Sequence, residues 1–215
     1  MIVFELVGNE QHSVYQKLAI ENGNRQYDFL KSIVEAALAL NRPLLSLEII
    51  KALNYHAISC LHVSAGEYRP CRVQVGNHNP VDFWQVPSRM ELFVDEVNRF
   101  WEQTDAVSLA TYVLWKLNNI HPFINGNGRA ARAAAYYVLC VKSGGWLAGQ
   151  PILPELLKLN RPAYVAALQK ADASLAVGSV DLTDLHQLVS QLLAQQTAGV
   201  PAPPAAPAGP AAAGP

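Results

Sequence analysis

Apolar positions recur along most of this chain at intervals of three and four. Around residues 105–118, Leu109, Val113, Leu117 and Ile120 follow one another at spacings of four, four and three, the period of a helix with one buried face. Looser stripes predict helices over residues 11–21 and 26–40, ended by the breakers Asn22-Gly23-Asn24 and Asn41-Arg42-Pro43. Residues 43–61 form a third, with Leu44, Leu47, Ile50, Asn54 and Ile58 on its stripe, and 87–101 a fourth. Further helices are predicted at 129–140, 161–173 and 181–193, the last with Asp181 as N-cap and Gly178 as the break before it. A period of two occurs in one place. Arg72-Val73-Gln74-Val75 and Val81-Asp82-Phe83 alternate on either side of the turn formers Gly76-Asn77-His78-Asn79-Pro80, which reads as a hairpin. The pattern therefore predicts an all-α bundle interrupted by one small β-hairpin.

Composition changes this picture at the end of the chain. After Ala194 the sequence turns to Gln-Gln-Thr-Ala-Gly and then to a Pro/Ala/Gly tail without periodic apolar positions. The expected organisation is an N-terminal helical segment over 1–42, a core with its C-terminal helices over 43–196 and a disordered tail over 197–215. With 215 residues and 23.4 kDa, one principal core is expected.

Charge and cysteine usage exclude several classes. The 16 basic and 17 acidic residues nearly cancel without forming blocks, which argues against electrostatic binding of nucleic acid or an anionic membrane. Cys60, Cys71 and Cys140 lack the paired spacing of a zinc or redox site. With neither a leader pattern at Met1 nor a membrane-length apolar run, the chain is expected to be cytoplasmic.

The chemistry concentrates between Asn118 and Arg132. Pro122, Gly126 and Gly128 break the helical pattern there, and Arg129 onward restores it, so Gly126-Asn127-Gly128 must sit at a helix N-terminus with outward backbone N–H groups. The glycines allow an anion to approach the backbone, Asn127 can add side-chain donors, and Arg129 and Arg132 project from one helical face. His121 precedes this clamp on the loop, where it could take a proton from an incoming hydroxyl. Nearby positive charge is expected to depress its pKa and keep the ring neutral near pH 7. The other histidines, His12, His56, His62, His78 and His186, show no metal-ligand spacing and read as surface or core residues.

The run from His121 to Arg132 resembles the Fic family signature, His-Pro-Phe-x-(Asp/Glu)-Gly-Asn-Gly-Arg-x-x-Arg, with one departure at Asn125. Gly66-Glu67-Tyr68-Arg69-Pro70 and the hairpin after it resemble the family's flap, and the likeness covers roughly residues 43–173. The resemblance implies a Fic-fold helical bundle and a protein adenylyltransferase with ATP as co-substrate and Mg2+ as cofactor. It makes His121 the general base, gives the α-phosphate to Gly126, Asn127 and Gly128, and gives the outer phosphates to Arg129 and Arg132. Phe123 should pack inward and fix the loop. The family's acid at the position of Asn125 binds Mg2+; an amide oxygen brings no charge, so a weaker metal site is expected here. The related toxin kinases carry Lys where this chain has Gly128, which favours transfer of AMP over γ-phosphoryl transfer.

Further expectations follow from the resemblance. The flap, through Val73, Val75, Val81 and Phe83, would dock a target segment by main-chain pairing and present its hydroxyl. Glu21, in Lys17-Leu18-Ala19-Ile20-Glu21-Asn22, is similar to the family's inhibitory glutamate, which would pair with Arg132, although Lys17 departs from that pattern. The partner implied is a target protein bearing a Tyr, Ser or Thr hydroxyl, with an antitoxin or self-oligomer as further candidates. Rival readings are transfer or removal of another nucleotide or phosphodiester group, and a nucleotide-binding regulator weakened in turnover by Asn125.

Overall fold

The computed structural model describes residues 1–41, 44–76 and 78–198. Among them nine α-helices form: α1 (Val3–Val7), α2 (Ser13–Ala39), α3 (Leu47–Ile58), α4 (Val86–Arg99), α5 (Ala106–Ile120), α6 (Asn127–Lys142), α7 (Leu153–Leu159), α8 (Arg161–Ala176) and α9 (Thr183–Thr197). At the centre α5 packs along α6, with α2 and α3 against α6 on one side and α7, α8 and α9 closing the other. From Ala133 to Val141 α6 is buried on every face, as a helix enclosed by neighbours must be. Ala130, Ala131, Ala133, Ala134 and Ala135 let those neighbours approach closely at no cost in side-chain entropy. The site is thereby mounted on the most enclosed element of the fold.

Caps fix several helix starts. Ser46 accepts from Ile49 N–H at 3.2 Å and starts α3 later than the 43–61 expectation. Asp105 accepts from Ser108 N–H at 2.9 Å and starts α5. Asp181 accepts from Thr183 N–H two residues on, so α9 begins at Thr183 rather than directly after it.

Two expectations are overturned. The Asn22-Gly23-Asn24 break does not occur: α2 runs unbroken through it. Asn22 is fully buried, donates to Ser59 O at 2.8 Å and accepts from Arg25, and this tertiary anchoring outweighs the roughly 1 kcal/mol that one glycine costs a helix. The β-hairpin is also absent, since no strand forms among the described residues. Val75 and His78 make only an isolated antiparallel bridge, and Phe83 opens a 3-10 turn, Phe83–Gln85, that leads into α4. Arg69 works against pairing, because its guanidinium ties Cys71 O, just before the first expected strand, and takes Val81 O, which a strand pair would otherwise use.

At the other end the body continues beyond Ala194. α9 runs to Thr197, and the Gln196 side chain is buried, accepting from Leu153 N–H and donating to the Tyr136 hydroxyl, each at 2.8 Å. Residues 199–215 of the expected tail lie outside the described residues. Among the described residues no helix is long and apolar enough to cross a membrane.

Candidate active site

α5 ends on His121, which sits in the left-handed region (φ 52, ψ 60) and donates its N–H to Leu117 O at 3.0 Å. A β-carbon makes that conformation costly, so it persists only where the surroundings enforce it. The loop then runs through Pro122 and the fully buried Phe123 to Gly126 (φ 76), where α6 begins. Asn127 closes the loop on itself: its Oδ1 accepts from Phe123 N–H at 2.9 Å and its Nδ2 donates to Phe123 O at 2.8 Å. The Asn127 amide is thus committed to the loop and does not offer the anion donors expected of it. Its backbone N–H remains at the helix mouth with those of Gly128 and Arg129, ahead of the first intrahelical bond, Ala130 N–H to Gly126 O at 2.9 Å.

The two arginines part company. Arg132 leans over Gly128, its Nη1 standing 3.3 Å from where a β-carbon on Gly128 would lie. Burial pushes its pKa down, the Tyr164 hydroxyl acts against that, and no carboxylate appears among the groups acting on it. Arg129 is instead tied into the fold, with Nη1 donating to Ala57 O at 2.7 Å and Nη2 to Asn125 Oδ1 at 3.1 Å. Asn125 Oδ1 also accepts from Gly126 N–H, while its Nδ2 donates to Glu10 Oε1 at 3.1 Å. The same Glu10 oxygen lies 3.2 Å from His62 Nε2, which contacts the Tyr15 hydroxyl at 2.8 Å. Glu21 is exposed on α2, and the ion pair with Arg132 that the resemblance implied is not formed among the described residues. Nor does any group of three or more His, Cys, Asp or Glu side chains among them offer a metal cluster.

His121 has its pKa lowered to about 4. Burial is the main cause; a backbone hydrogen bond with Asn118 works upward, and His78 and Arg69 work downward. The direction matches the expectation, but the cause is desolvation rather than the motif arginines. The lowered pKa holds the ring neutral at pH 7.

Residues that periodicity did not single out hold this site together. Arg69 is 2% exposed and donates from Nε to His121 O at 2.8 Å, while its backbone N–H donates to Pro122 O at 2.9 Å. Asn54, fully buried on α3, donates to Asn125 O and accepts from Gly66 N–H, both at 2.9 Å. The sequence signal for Arg69 was its place in Gly66-Glu67-Tyr68-Arg69-Pro70; for Asn54 it was a polar residue on an apolar stripe. Of the expected docking residues, Val81 packs against the core, whereas Val75 and Phe83 are exposed and Val73 is partly so. A cavity of about 240 Å³ lies beneath them between Arg69, Val73, Val81 and the Arg72–Asp82 ion pair.

The Fic/DOC family model matches residues 44–139. A protein adenylyltransferase Fic from Drosophila willistoni is 37% identical over 71 residues, 33% of this chain and 14% of that protein, so the chain spans about a seventh of that relative. Among solved structures, Fic-1 from C. elegans superposes with a TM-score of 0.67 at 22% identity over 89% of this chain and 53% of that one. A Fic domain containing signaling protein from Bacteroides thetaiotaomicron gives 0.65 at 22% identity, over 89% and 74%. With the His121–Arg132 signature at the mouth of α6 and the Fic fold around it, residues 44–139 are a domain of the Fic/DOC family.

Proposed function

We propose that this chain is a protein adenylyltransferase that moves AMP from ATP to a Tyr, Ser or Thr hydroxyl of a target protein. The observation that carries this reading is the mouth of α6: backbone N–H groups at Asn127, Gly128 and Arg129, and Arg132, which has no carboxylate partner among the described residues, stand one short loop from a neutral His121. In the reaction His121 takes the acceptor's proton as the hydroxyl oxygen bonds to the α-phosphorus. The bond from that phosphorus to the bridging oxygen breaks, pyrophosphate leaves, and the proton stays on the imidazole until solvent removes it. The helix mouth stabilises charge on the α-phosphate, and Arg132 does so on the outer phosphates. The exposed side chains of Arg72, Val75, Phe83 and Trp84 are the candidate surface for the target segment.

Mg2+ is the ordinary companion of ATP, but Asn125 does not fit as its anchor. It carries no charge, and its Oδ1 already accepts from Gly126 N–H and Arg129. None of the steps assigned to His121, α6 or Arg132 runs through the ion, which would arrive on the nucleotide's phosphates. That same observation favours a second reading, a nucleotide-binding regulator with slow turnover. Incubation with target candidates and ATP labelled at the α- or γ-phosphate separates the two, with His121→Ala as control. Label from the α position alone, lost in His121→Ala, supports adenylyl transfer. Nucleotide binding without transfer supports the regulator.

A further inference from the structure

The segment from Arg69 to Phe83 is fastened at two places by different chemistry. At its base, Arg69 binds the carbonyls of His121, Cys71 and Val81. Near its tip, the His78 ring reaches two helices: Nε2 lies 2.8 Å from Asn119 O on α5, and Nδ1 lies 3.4 Å from Asp172 Oδ2 on α8. The other carboxylate oxygen, Asp172 Oδ1, accepts from Trp115 Nε1 at 2.9 Å and from Asn119 Nδ2 at 2.8 Å, both on α5. One carboxylate on α8 therefore gathers the last turns of α5 and the segment lying over them. Asn119 is bound at both ends, its side chain by Asp172 and its carbonyl by His78, two residues before the strained backbone of His121.

We propose that Asp172 is a positioning residue for His121, holding the end of α5 through Trp115 and Asn119 and holding His78 beside the imidazole. Three observations converge on this role. A non-glycine residue in the left-handed region needs neighbours that leave it no alternative, and Asp172 supplies one set of them while Arg69 supplies the other. The carboxylate is only partly exposed, so its contacts with the indole and amide N–H groups are stronger than they would be in bulk water. Finally, His78 and Arg69 both hold the His121 pKa down, and both belong to the segment fastened at these two places. Its catalytic consequence rests on the adenylyl-transfer reading, whereas the positioning itself can be measured without any turnover.

The test is an NMR titration of the His121 ring in the intact chain without nucleotide, for the parent, His78→Ala, Asp172→Ala and the double variant. The parent ring should titrate near 4. His78→Ala removes a neighbour that holds the His121 pKa down, which moves the ring upward toward the ordinary histidine value. Its melting temperature should stay close to the parent's. Asp172→Ala should shift the ring in the same direction, and the double variant at least as far as His78→Ala, because His78 is held by the carboxylate and also acts on the ring itself. Asp172→Ala also strips two N–H groups of their acceptor; should it fail to fold, His78→Ala decides. A His121 titration unchanged in His78→Ala, or a parent ring already titrating at the ordinary value, overturns the proposal. Labelling from α-labelled ATP is followed on the same proteins. A parent that shows the shifts but never transfers AMP refutes the function reading alone, and one that transfers AMP without the shifts refutes the positioning alone.

Discussion

Two glycines two positions apart at the start of α6 should respond in opposite ways to the addition of one methyl group. Gly126 has φ 76, and a β-carbon there would lie 2.6 Å from Ile58 Cγ2 and 2.9 Å from Asn54 Nδ2. Neither neighbour can retreat easily: both are fully buried, and Asn54 would have to give up Asn125 O or Gly66 N–H. The left-handed backbone costs alanine about 1–2 kcal/mol and the overpacking about 1–3 kcal/mol, so Gly126→Ala should lose about 2–5 kcal/mol. In a protein of this size that lowers the melting temperature by about 5–15 °C. Gly128 has no left-handed φ, and its nearest obstacle is Arg132 Nη1 at 3.3 Å, the movable end of a long side chain. Gly128→Ala should leave stability unchanged or raise it by about 0.5–1 kcal/mol, as alanine does within a helix. The same methyl stands between the helix mouth and the guanidinium, so nucleotide affinity should drop about tenfold or more, the cost of about one charge-assisted contact. Urea unfolding followed by circular dichroism gives the first quantity and titration with a fluorescent ATP analogue the second. Parental stability in Gly126→Ala, or parental nucleotide affinity in Gly128→Ala, would refute the division of labour between the two residues.

Three other outcomes are expected. The folded chain holds His121 at about 4 against the usual 6.5, so the unfolded chain binds a proton the folded one refuses; stability from this group is complete above about pH 6.5 and falls by about 3 kcal/mol as the pH drops through 4. Urea melts at pH 7, 5 and 4 should show a shallower acid loss in His121→Asn than in the parent, and equal slopes would contradict the assignment. Gln196→Ala should cost about 2–4 kcal/mol, because Leu153 N–H and the Tyr136 hydroxyl lose their buried partner; a melting temperature equal to the parent's would show that α9 is held by other means. Glu21→Gly should leave self-labelling from α-labelled ATP within about twofold, since the carboxylate is exposed and Arg132 carries no partner acid among the described residues. A rise of tenfold or more would restore Glu21 as a brake.

Much of the helical layout was legible because its signals are local. The stripe from Leu109 to Ile120 and the Asp105 cap lie within one element, and the structure returns α5 within two residues of the prediction. What misled the reading depended on partners distant in sequence. Asn22-Gly23-Asn24 has the composition of a turn, and only the bond from Asn22 to Ser59 O, across 37 positions, explains why the helix continues. The alternation around residues 72–83 satisfies the rule for strands, yet Val81 O, one of the carbonyls pairing would need, is taken by Arg69. α1 and α7, at 5 and 7 residues, are too short to show a period. In the site, the sequence brought His121, the glycines and Arg132 to one helix mouth but assigned Asn127 and Arg129 to the ligand, where the structure engages their side chains in the loop and in α3. Motif spacing shows which side chains are near one another; it does not show which donors are already spent.

The two hydrogen bonds of Asn54 tie two parts of this site together. One amide on α3 grips the loop after His121 and, with its other end, the start of the segment at Gly66. Loop and segment share a single pivot, and a motion that separates them near Gly66 must first break a fully buried contact. A substitution at Asn54 should therefore loosen the motif loop and the segment after Gly66 together rather than one at a time.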